Sequence, residues 1–179
     1  IAITSISSEA FQNNDNITSV FIPSSIKKIG SNAFNSCSSL KNVIFEKNSN
    51  ITTIGENAFA YCNNLNIKSY NNVKYLPSED NFYFVAIGVQ TKTATNYELS
   101  PNTQVIADYT FYNTKITTLE IPKSVKNIGK YAFSFSFIET ISFEINSKLE
   151  IIDSYAFYRS KIKTIEIPSS VTHIEDMSF

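Results

Sequence analysis

The sequence of 179 residues predicts a β-rich repeat solenoid with units of about 22–25 residues, parallel strands on one face and a hairpin-like irregular unit in the middle. Two observations carry this prediction: a phenylalanine that recurs as an anchor, and an apolar strand pattern that follows it. The anchors, spaced by 23, 25, 52, 22, 24 and 22 residues, are Phe11, Phe34, Phe59, Phe111, Phe133, Phe157 and Phe179. The spacing of 52 is about two units long, so one anchor is missing in the middle of the chain.

The residues before each anchor keep a fixed register. An isoleucine lies five residues before every anchor and a small residue lies directly before it, as Ile128 and Ala132 do before Phe133. The small residue leaves room for the chain to turn, and we expect the phenylalanine rings to stack through the interior.

A strand pattern follows each anchor by five or six residues and reads apolar-x-x-apolar-x-apolar, as in Ile116, Leu119 and Ile121. Its last three positions alternate inward and outward, which is the periodicity of a β-strand. Proline follows the pattern in three units, at Pro23, Pro122 and Pro168, where it can end a strand without the loss of an inner hydrogen bond. Such a unit cannot bury its apolar side alone, so stacked units must share one core.

A longer motif identifies the type of repeat. The segment Ile121–Phe133 reads Ile-Pro-x-Ser-Val-x-x-Ile-Gly-x-x-Ala-Phe, and it recurs in 22–34 and, with an altered tail, in 167–179. This motif resembles the BspA-like branch of the leucine-rich repeats, and the resemblance covers nearly the whole chain. The resemblance implies a microbial surface or secreted protein that is located outside the cell. Such a protein is expected to adhere to a host or matrix protein, or to a glycan, and to catalyse no reaction.

The chain is expected to form one continuous solenoid domain with three parts. Residues 1–64 and 99–179 hold the regular repeats, and residues 65–98 form the irregular unit, in which two β-rich runs flank a polar turn. This hairpin either extends the sheet and covers core or projects as a flap that contacts a ligand. Neither end of the sequence shows a polar capping unit, so we expect further repeats or domains of the same chain as neighbours.

The composition argues against most other classes of function. Fifteen Lys and Arg against sixteen Asp and Glu leave a net charge of −1, which would not attract nucleic acid or an anionic membrane. The longest apolar run, 82–89, is far shorter than the roughly 20 residues that span a bilayer, so no membrane insertion is expected. Four glycines, one histidine and two cysteines offer no phosphate cradle and no four-ligand zinc site. We expect no cofactor, no metal, no catalytic residue and no enzyme.

Three isolated features have simple interpretations. Cys37 and Cys62 each follow an anchor by three residues, so they form either an inter-coil disulfide or two interior thiols. His173 is expected in an exposed turn. The acidic run 79–81 is expected to be a solvated turn rather than a calcium site.

The strand pattern also predicts a surface. The residue between the last two apolar positions points outward, and the resulting column runs through Phe21, Ile44, Glu120, Ser142 and Glu166. Adjacent exposed apolar residues such as the first two mark a partner site or merely cover each other. The sequence therefore predicts adhesion through an extended solenoid face. The alternatives are a rigid spacer that displays other domains and the carbohydrate-recognition part of a secreted enzyme.

Overall fold

The computed structural model describes residues 2–179, and within this range the chain forms fourteen β-strands and no helix. In chain order the strands are β1 (Ser5–Ile6), β2 (Ser19–Ile22), β3 (Lys28–Ile29), β4 (Asn42–Phe45), β5 (Thr53–Ile54), β6 (Lys68–Tyr70), β7 (Val73–Ser78), β8 (Asn81–Val89), β9 (Val105–Ile106), β10 (Thr118–Ile121), β11 (Asn127–Ile128), β12 (Thr140–Phe143), β13 (Ile151–Ile152) and β14 (His173–Ile174). Each regular coil contributes a two-residue strand, a turn that holds the anchor phenylalanine and, in four coils, a four-residue strand.

The four-residue strands form where apolar and polar residues alternate. In β4, Val43 and Phe45 are buried while Asn42 and Ile44 are exposed. The strand β10 shows the same alternation, and Pro122 directly after it has no N–H with which to continue a ladder. These patterns fix which face of each strand meets the core, since a slip by one residue would expose every apolar side chain.

All strand pairs between regular coils are parallel, as the solenoid requires. Two parallel ladders run along the N-terminal coils, with β1, β3 and β5 in one sheet and β2 and β4 in another. In the C-terminal coils, β9, β11, β13 and β14 form one ladder and β10 and β12 form the other. The chain is thus a β-solenoid with parallel strands, as the repeat pattern predicts. The prediction places these strands on one face, whereas each block carries two ladders.

The irregular unit joins the two blocks of coils. Its strands β7 and β8 form an antiparallel hairpin; β7 pairs in parallel with β4, and β8 pairs in parallel with β9. The ladder of longer strands in the N-terminal block therefore continues, through the hairpin, into the ladder of shorter strands in the C-terminal block. The hairpin extends the sheet, which is the simpler of its two predicted roles.

The same hairpin separates two hydrophobic cores. Leu76 and Val85 pack in the core of the N-terminal block, whereas their neighbours Tyr75 and Ala86 pack in the core of the C-terminal block. Neighbouring residues of a strand point to opposite faces, so both faces of this hairpin are buried. This explains why its sequence is almost continuously apolar and aromatic.

The anchor phenylalanines stack as predicted, but in two separate columns. Phe11, Phe34 and Phe59 form one column, with centroids 5.0 and 5.3 Å apart, while the other, with spacings of 4.9, 5.1 and 5.3 Å, contains Phe111, Phe133, Phe157 and Phe179. The rings are within 9° of parallel in every pair. Each such contact contributes about 0.5–1.5 kcal/mol beyond the area that it buries.

Each turn around an anchor holds residues with a left-handed backbone, two positions before and two positions after the phenylalanine. Asn32 and Ser36, on either side of Phe34, have φ values of 56° and 60°. Asparagine adopts this conformation readily, whereas larger side chains do so at a cost. Tyrosine nevertheless fills the first of these positions at Tyr109 and Tyr131, with φ values of 60° and 54°.

Candidate recognition surface

The two apolar members of the predicted column lie side by side. Phe21 of β2 pairs in register with Ile44 of β4, and their side chains are 54% and 36% exposed. Val43 and Phe45, the inward neighbours of Ile44, are buried, so the outward direction of these two side chains follows from the packing of the strands. This exposed pair, Phe21 and Ile44, is called the apolar pair below.

The polar members of the column lie on a different sheet. Glu120 of β10 pairs in register with Ser142 of β12, and both are exposed. The apolar pair belongs to the nine-stranded sheet that includes the hairpin, whereas β10 and β12 form a sheet of two strands. The five residues therefore do not share one hydrogen-bonded face.

Glu166, the last member of the column, lies outside any strand. The pattern Ile162, Ile165, Ile167 predicts a strand in this unit, and that prediction is wrong for the described structure. In the described structure no strand pairing joins the segment 164–170 to β12, and a groove of about 800 Å³ is lined by both. Glu166 is exposed.

Carboxylates after the longer strands have a structural role that the sequence patterns do not reveal. The N–H of Ser24 donates to Glu46, and the N–H of Lys123 donates to Glu144 at 2.9 Å. Hydrogen bonds from Ser24, first from its side chain and then from its backbone, lower the pKa of Glu46. Each of these acids thus accepts a hydrogen bond from the bend of the preceding coil.

A concave feature lies where one anchor is missing. A groove of about 830 Å³ opens between the turn of the third coil, 55–63, and the turn of the fourth, 107–112, with the hairpin beside it. Asp108 at this groove accepts a hydrogen bond from the Lys130 N–H at 2.9 Å. Burial, as the largest cause, raises the pKa of Asp108 to about 7; the Lys130 N–H opposes the rise and the charge of Asp153 adds to it. The anchor spacing of 52 indicates the place of this groove, but not its existence.

Beside the groove, the turns of the C-terminal block carry a row of aromatic and basic side chains. Tyr109, Tyr131 and Tyr155 stack with centroids 5.0 and 4.8 Å apart. In the segments that follow these turns, the ammonium groups of Lys115 and Lys161 lie 3.8 and 4.2 Å from the ring centroid of Phe137. The recurrence of tyrosine two residues before the anchor is visible in the sequence and could have indicated this row.

The isolated features of the sequence lie apart from one another. Cys37 and Cys62 are free and buried, and each thiol donates to the carbonyl of an anchor in the preceding coil, Phe11 at 3.1 Å and Phe34 at 3.0 Å. They therefore occupy an interior slot of the repeat. His173 is exposed, with Nδ1 2.9 Å from Oγ1 of the adjacent threonine. Within residues 2–179 no group of three or more His, Cys, Asp or Glu side chains could hold a metal ion.

The repeat geometry agrees with a match to a known family. The family described as "BspA type Leucine rich repeat region" matches residues 2–85 and 89–179, with six copies of its repeat region. The chain belongs to the BspA-type leucine-rich repeat family. The short strands, the interior cysteine slot and the phenylalanine turns are thus the repeating parts of a BspA-type unit in this chain.

Solved structures of other leucine-rich repeat proteins resemble this BspA-type chain. The pneumococcal vaccine antigen PcpA matches with a TM-score of 0.54 at 22% identity, over 97% of this chain and 50% of that protein. A leucine rich cell surface protein from Faecalibacterium prausnitzii A2-165 matches with a TM-score of 0.40 at 24% identity, over 97% of this chain and 39% of that protein. The likeness to PcpA shows a shared fold, and the chain spans half of these proteins or less.

Two further comparisons give negative results. No curated protein matches the sequence. Among the described residues of this BspA-type chain there is also no helix with the length and apolar character needed to cross a membrane.

Proposed function

We propose that this BspA-type chain is a non-enzymatic recognition module of a cell-surface or secreted protein, which adheres to a host or matrix protein through an extended face of the solenoid. Membership of a repeat family whose coils present extended surfaces supports this class of function. The observation that carries the proposal is the apolar pair, because Phe21 and Ile44 expose large side chains at paired positions of neighbouring strands.

The apolar pair has the features of an interface centre. Aromatic residues are enriched among the positions that dominate binding energies, and a contact of this kind excludes water from its surroundings. Ser19 and Asn42 form the next exposed pair of the same two strands, so a polar rim lies beside the apolar centre. The partner in this proposal is a protein surface with an apolar depression. Glu120 and Ser142, on the two-stranded sheet of the C-terminal coils, and the exposed Glu166 are proposed as further contacts outside the sheet of the apolar pair.

The test is a solid-phase binding assay of the purified protein against extracellular-matrix proteins, epithelial cells and a glycan array. We expect a saturable protein or cell ligand, and we expect Phe21→Asp to weaken its binding at least about tenfold. The matched control is Gln12→Asp, which adds the same charge to the same coil at an exposed polar position of the turn, outside the proposed contact.

Two outcomes would overturn the proposal. Equal binding by Phe21→Asp, Ile44→Asp and the unmodified protein would exclude the apolar pair as the contact. A folded, monodisperse protein that binds nothing in the assay would favour a rigid spacer, and a glycan as the sole ligand would favour a carbohydrate-recognition module.

A further inference from the structure

The turns of neighbouring coils are joined by a regular backbone ladder. The N–H of each anchor donates to the carbonyl of the small residue before the next anchor, as Phe34 does to Ala58 at 2.8 Å and Phe133 to Ala156 at 2.7 Å. The residues two positions before and after the anchor donate in the same way, as Asn32 does to Glu56 at 2.9 Å. Three such rungs connect the turns in the regular part of each block.

This ladder is interrupted between the third and the fourth coil. The N–H groups of Asn57, Phe59 and Tyr61 donate to no protein acceptor in the described part of the chain. On the facing turn, the carbonyls of Asp108 and Thr110 likewise accept no hydrogen bond from residues 2–179, and neither does the carbonyl of Tyr112. Three donors on one wall and three acceptors on the other are therefore open.

The open groups face the groove. Asn57 and Tyr61 have φ values of 54° and 59°, close to those of Asn32 and Ser36 in the preceding coil. Their N–H groups must then point along the solenoid axis, as those of the preceding coil do. The two coils stay joined at one end, where the N–H of Asp108 donates to the carbonyl of Ile54 at 3.0 Å. The groove is thus a wedge, closed at the strands and open at the turns.

Aromatic rings line both walls of this wedge. Phe59 stacks on Phe34 with one face of its ring, and it lines the groove in the place where the next ring of the column would lie. Tyr109 and Tyr112 line the opposite wall. The remaining charges balance, with Glu56 and Asp108 against Lys74 and Lys92. The volume of about 830 Å³ lies in the range of ordinary binding pockets.

We propose that this groove binds a peptide segment of a partner protein, with an aromatic residue that continues the column of Phe59 and with Asn or Gly two positions to either side. A peptide backbone alternates carbonyls and N–H groups at the spacing of the open donors and acceptors, so it can complete both halves of the ladder. Extended peptides bind to an open sheet edge in the same way, through main-chain hydrogen bonds. Asn or Gly has the lowest conformational cost there, because the flanking positions are left-handed in the other coils.

The site is separate from the apolar pair, and it stands or falls independently of the proposed adhesion. Its residues belong to the turns of coils three and four, whereas Phe21 and Ile44 lie on β2 and β4. The balanced charges argue against an anionic polymer as the occupant, since such a ligand would need an excess of basic groups.

The probe is a fluorescein-labelled peptide with the sequence of residues 30–36 and asparagine in place of Ser36, so that Asn lies two positions to either side of the phenylalanine. Fluorescence polarisation should show saturable binding to the full chain, and a peptide with serine in place of the phenylalanine should bind at least about tenfold more weakly. Absence of saturable binding up to about 1 mM peptide would overturn the proposal.

A variant that fills the groove locates the binding. Ala60→Trp places a large ring in the groove, at a position where Tyr112 and Tyr158 show that an aromatic side chain is accepted. The matched control is Gln12→Trp, at the same exposed position of the first coil. We expect at least about tenfold weaker binding for Ala60→Trp only, because the peptide loses its hydrogen bonds to the wall. Equal binding by both variants contradicts the proposed place.

Amide hydrogen exchange of the unmodified protein gives a readout that does not depend on any variant. In the free protein, the amides of Asn57, Phe59 and Tyr61 should exchange at least about tenfold faster than those of Asn32 and Phe34, because only the latter are hydrogen-bonded. The peptide should abolish this difference. Binding without protection of the three amides, or an oligosaccharide that protects them while the peptide does not, would overturn the assignment to a peptide.

Discussion

The thiol of Cys62 donates a hydrogen bond to the backbone carbonyl of Phe34, one coil earlier. Cys37 makes the same bond to Phe11, and both side chains are buried. In the C-terminal block, Thr114 occupies the equivalent position and bonds instead to the carbonyl of Phe111 in its own coil, at 2.8 Å. The position three residues after the anchor thus holds a small side chain that donates a hydrogen bond. The acceptor is the anchor carbonyl of the preceding coil for the cysteines and of the same coil for Thr114.

The first prediction concerns this slot. Cys62→Ser should lower the free energy of unfolding by no more than about 1 kcal/mol, because serine is of similar size and still donates. Cys62→Leu should lower it by about 1–3 kcal/mol, because the extra methyl groups overpack the interior. Urea denaturation of the two variants measures both effects. A larger loss for serine than for leucine would contradict a packing role.

The reactivity of the same cysteine is predicted by its environment. Burial, the largest cause, raises the pKa of Cys62, and the reactive thiolate is therefore scarce in the folded protein. We expect iodoacetamide at pH 8 to label both cysteines in the unfolded chain and neither in the native one, as followed by mass spectrometry. Rapid labelling of the native protein, or a Cys37–Cys62 disulfide under non-reducing conditions, would be the contrary result.

The aromatic columns predict unequal costs for the same substitution. Phe133 is fully buried with a ring on each side, so Phe133→Ala should lower the free energy of unfolding by about 3–5 kcal/mol. Phe59 is half-buried with a ring on one side, so Phe59→Ala should cost about half as much. Chemical denaturation of both variants under the same conditions makes the comparison. Equal costs would mean that the groove is filled in solution.

The half-buried carboxyl of Asp108 predicts a pH dependence of stability. Its pKa is about 7 in the folded chain, against the ordinary value of 3.8. Between pH 4 and pH 7 the native state holds a proton that the unfolded state has released, so this group lowers the free energy of unfolding as the pH rises through that window. Asp108→Asn should therefore stabilise the protein at pH 8 by roughly 1–3 kcal/mol.

The check on Asp108 is urea denaturation of both proteins at several pH values. The advantage of Asp108→Asn should shrink as the pH falls from 8 towards 4, because the wild-type carboxyl then becomes neutral in the native state. A constant difference across this range would mean that Asp108 is ionised in the fold at every pH tested.

A substitution at Tyr61 is expected to stabilise the protein. This residue is 71% exposed and has a left-handed backbone with φ of 59°, a conformation that asparagine adopts at lower cost. Tyr61→Asn should raise the free energy of unfolding by about 0.5–1 kcal/mol, and Tyr61→Val should lower it by about 1–2 kcal/mol, because a branched side chain is strained there. Thermal denaturation of both variants would contradict this account if their order were reversed.

Much of the fold can be predicted from the sequence because the same pattern of residues recurs in successive units. Phe133, Ile128 and the small residue between them occur in a register that recurs in every coil, and the structure buries them as expected. The register of Phe21 with Ile44 follows from the same repetition. Local patterns of this kind are reliable where each coil contacts only its neighbours.

The candidate sites could be predicted only in part, because they depend on contacts outside the repeat. The spacing of 52 residues shows that an anchor is missing, but the bond between Asp108 and Ile54, which holds the wedge closed at one end, joins residues that no local pattern relates. The change of sheet between Ile44 and Glu120 likewise follows from the pairing of β7 and β8 with strands on different faces. Glu166 lies outside any strand because the expected pairing of its segment with β12 does not form.

The hairpin of β7 and β8 also has a consequence for the order of folding. Its turn is short, so its strands can meet at a much lower entropic cost than two coils whose partners lie more than 20 residues apart. Because one of its faces belongs to each core, a hairpin that forms first offers a template in both directions. We expect folding to begin in the middle of the chain and to proceed outward, with the outermost coils as the last to form and the first to fray.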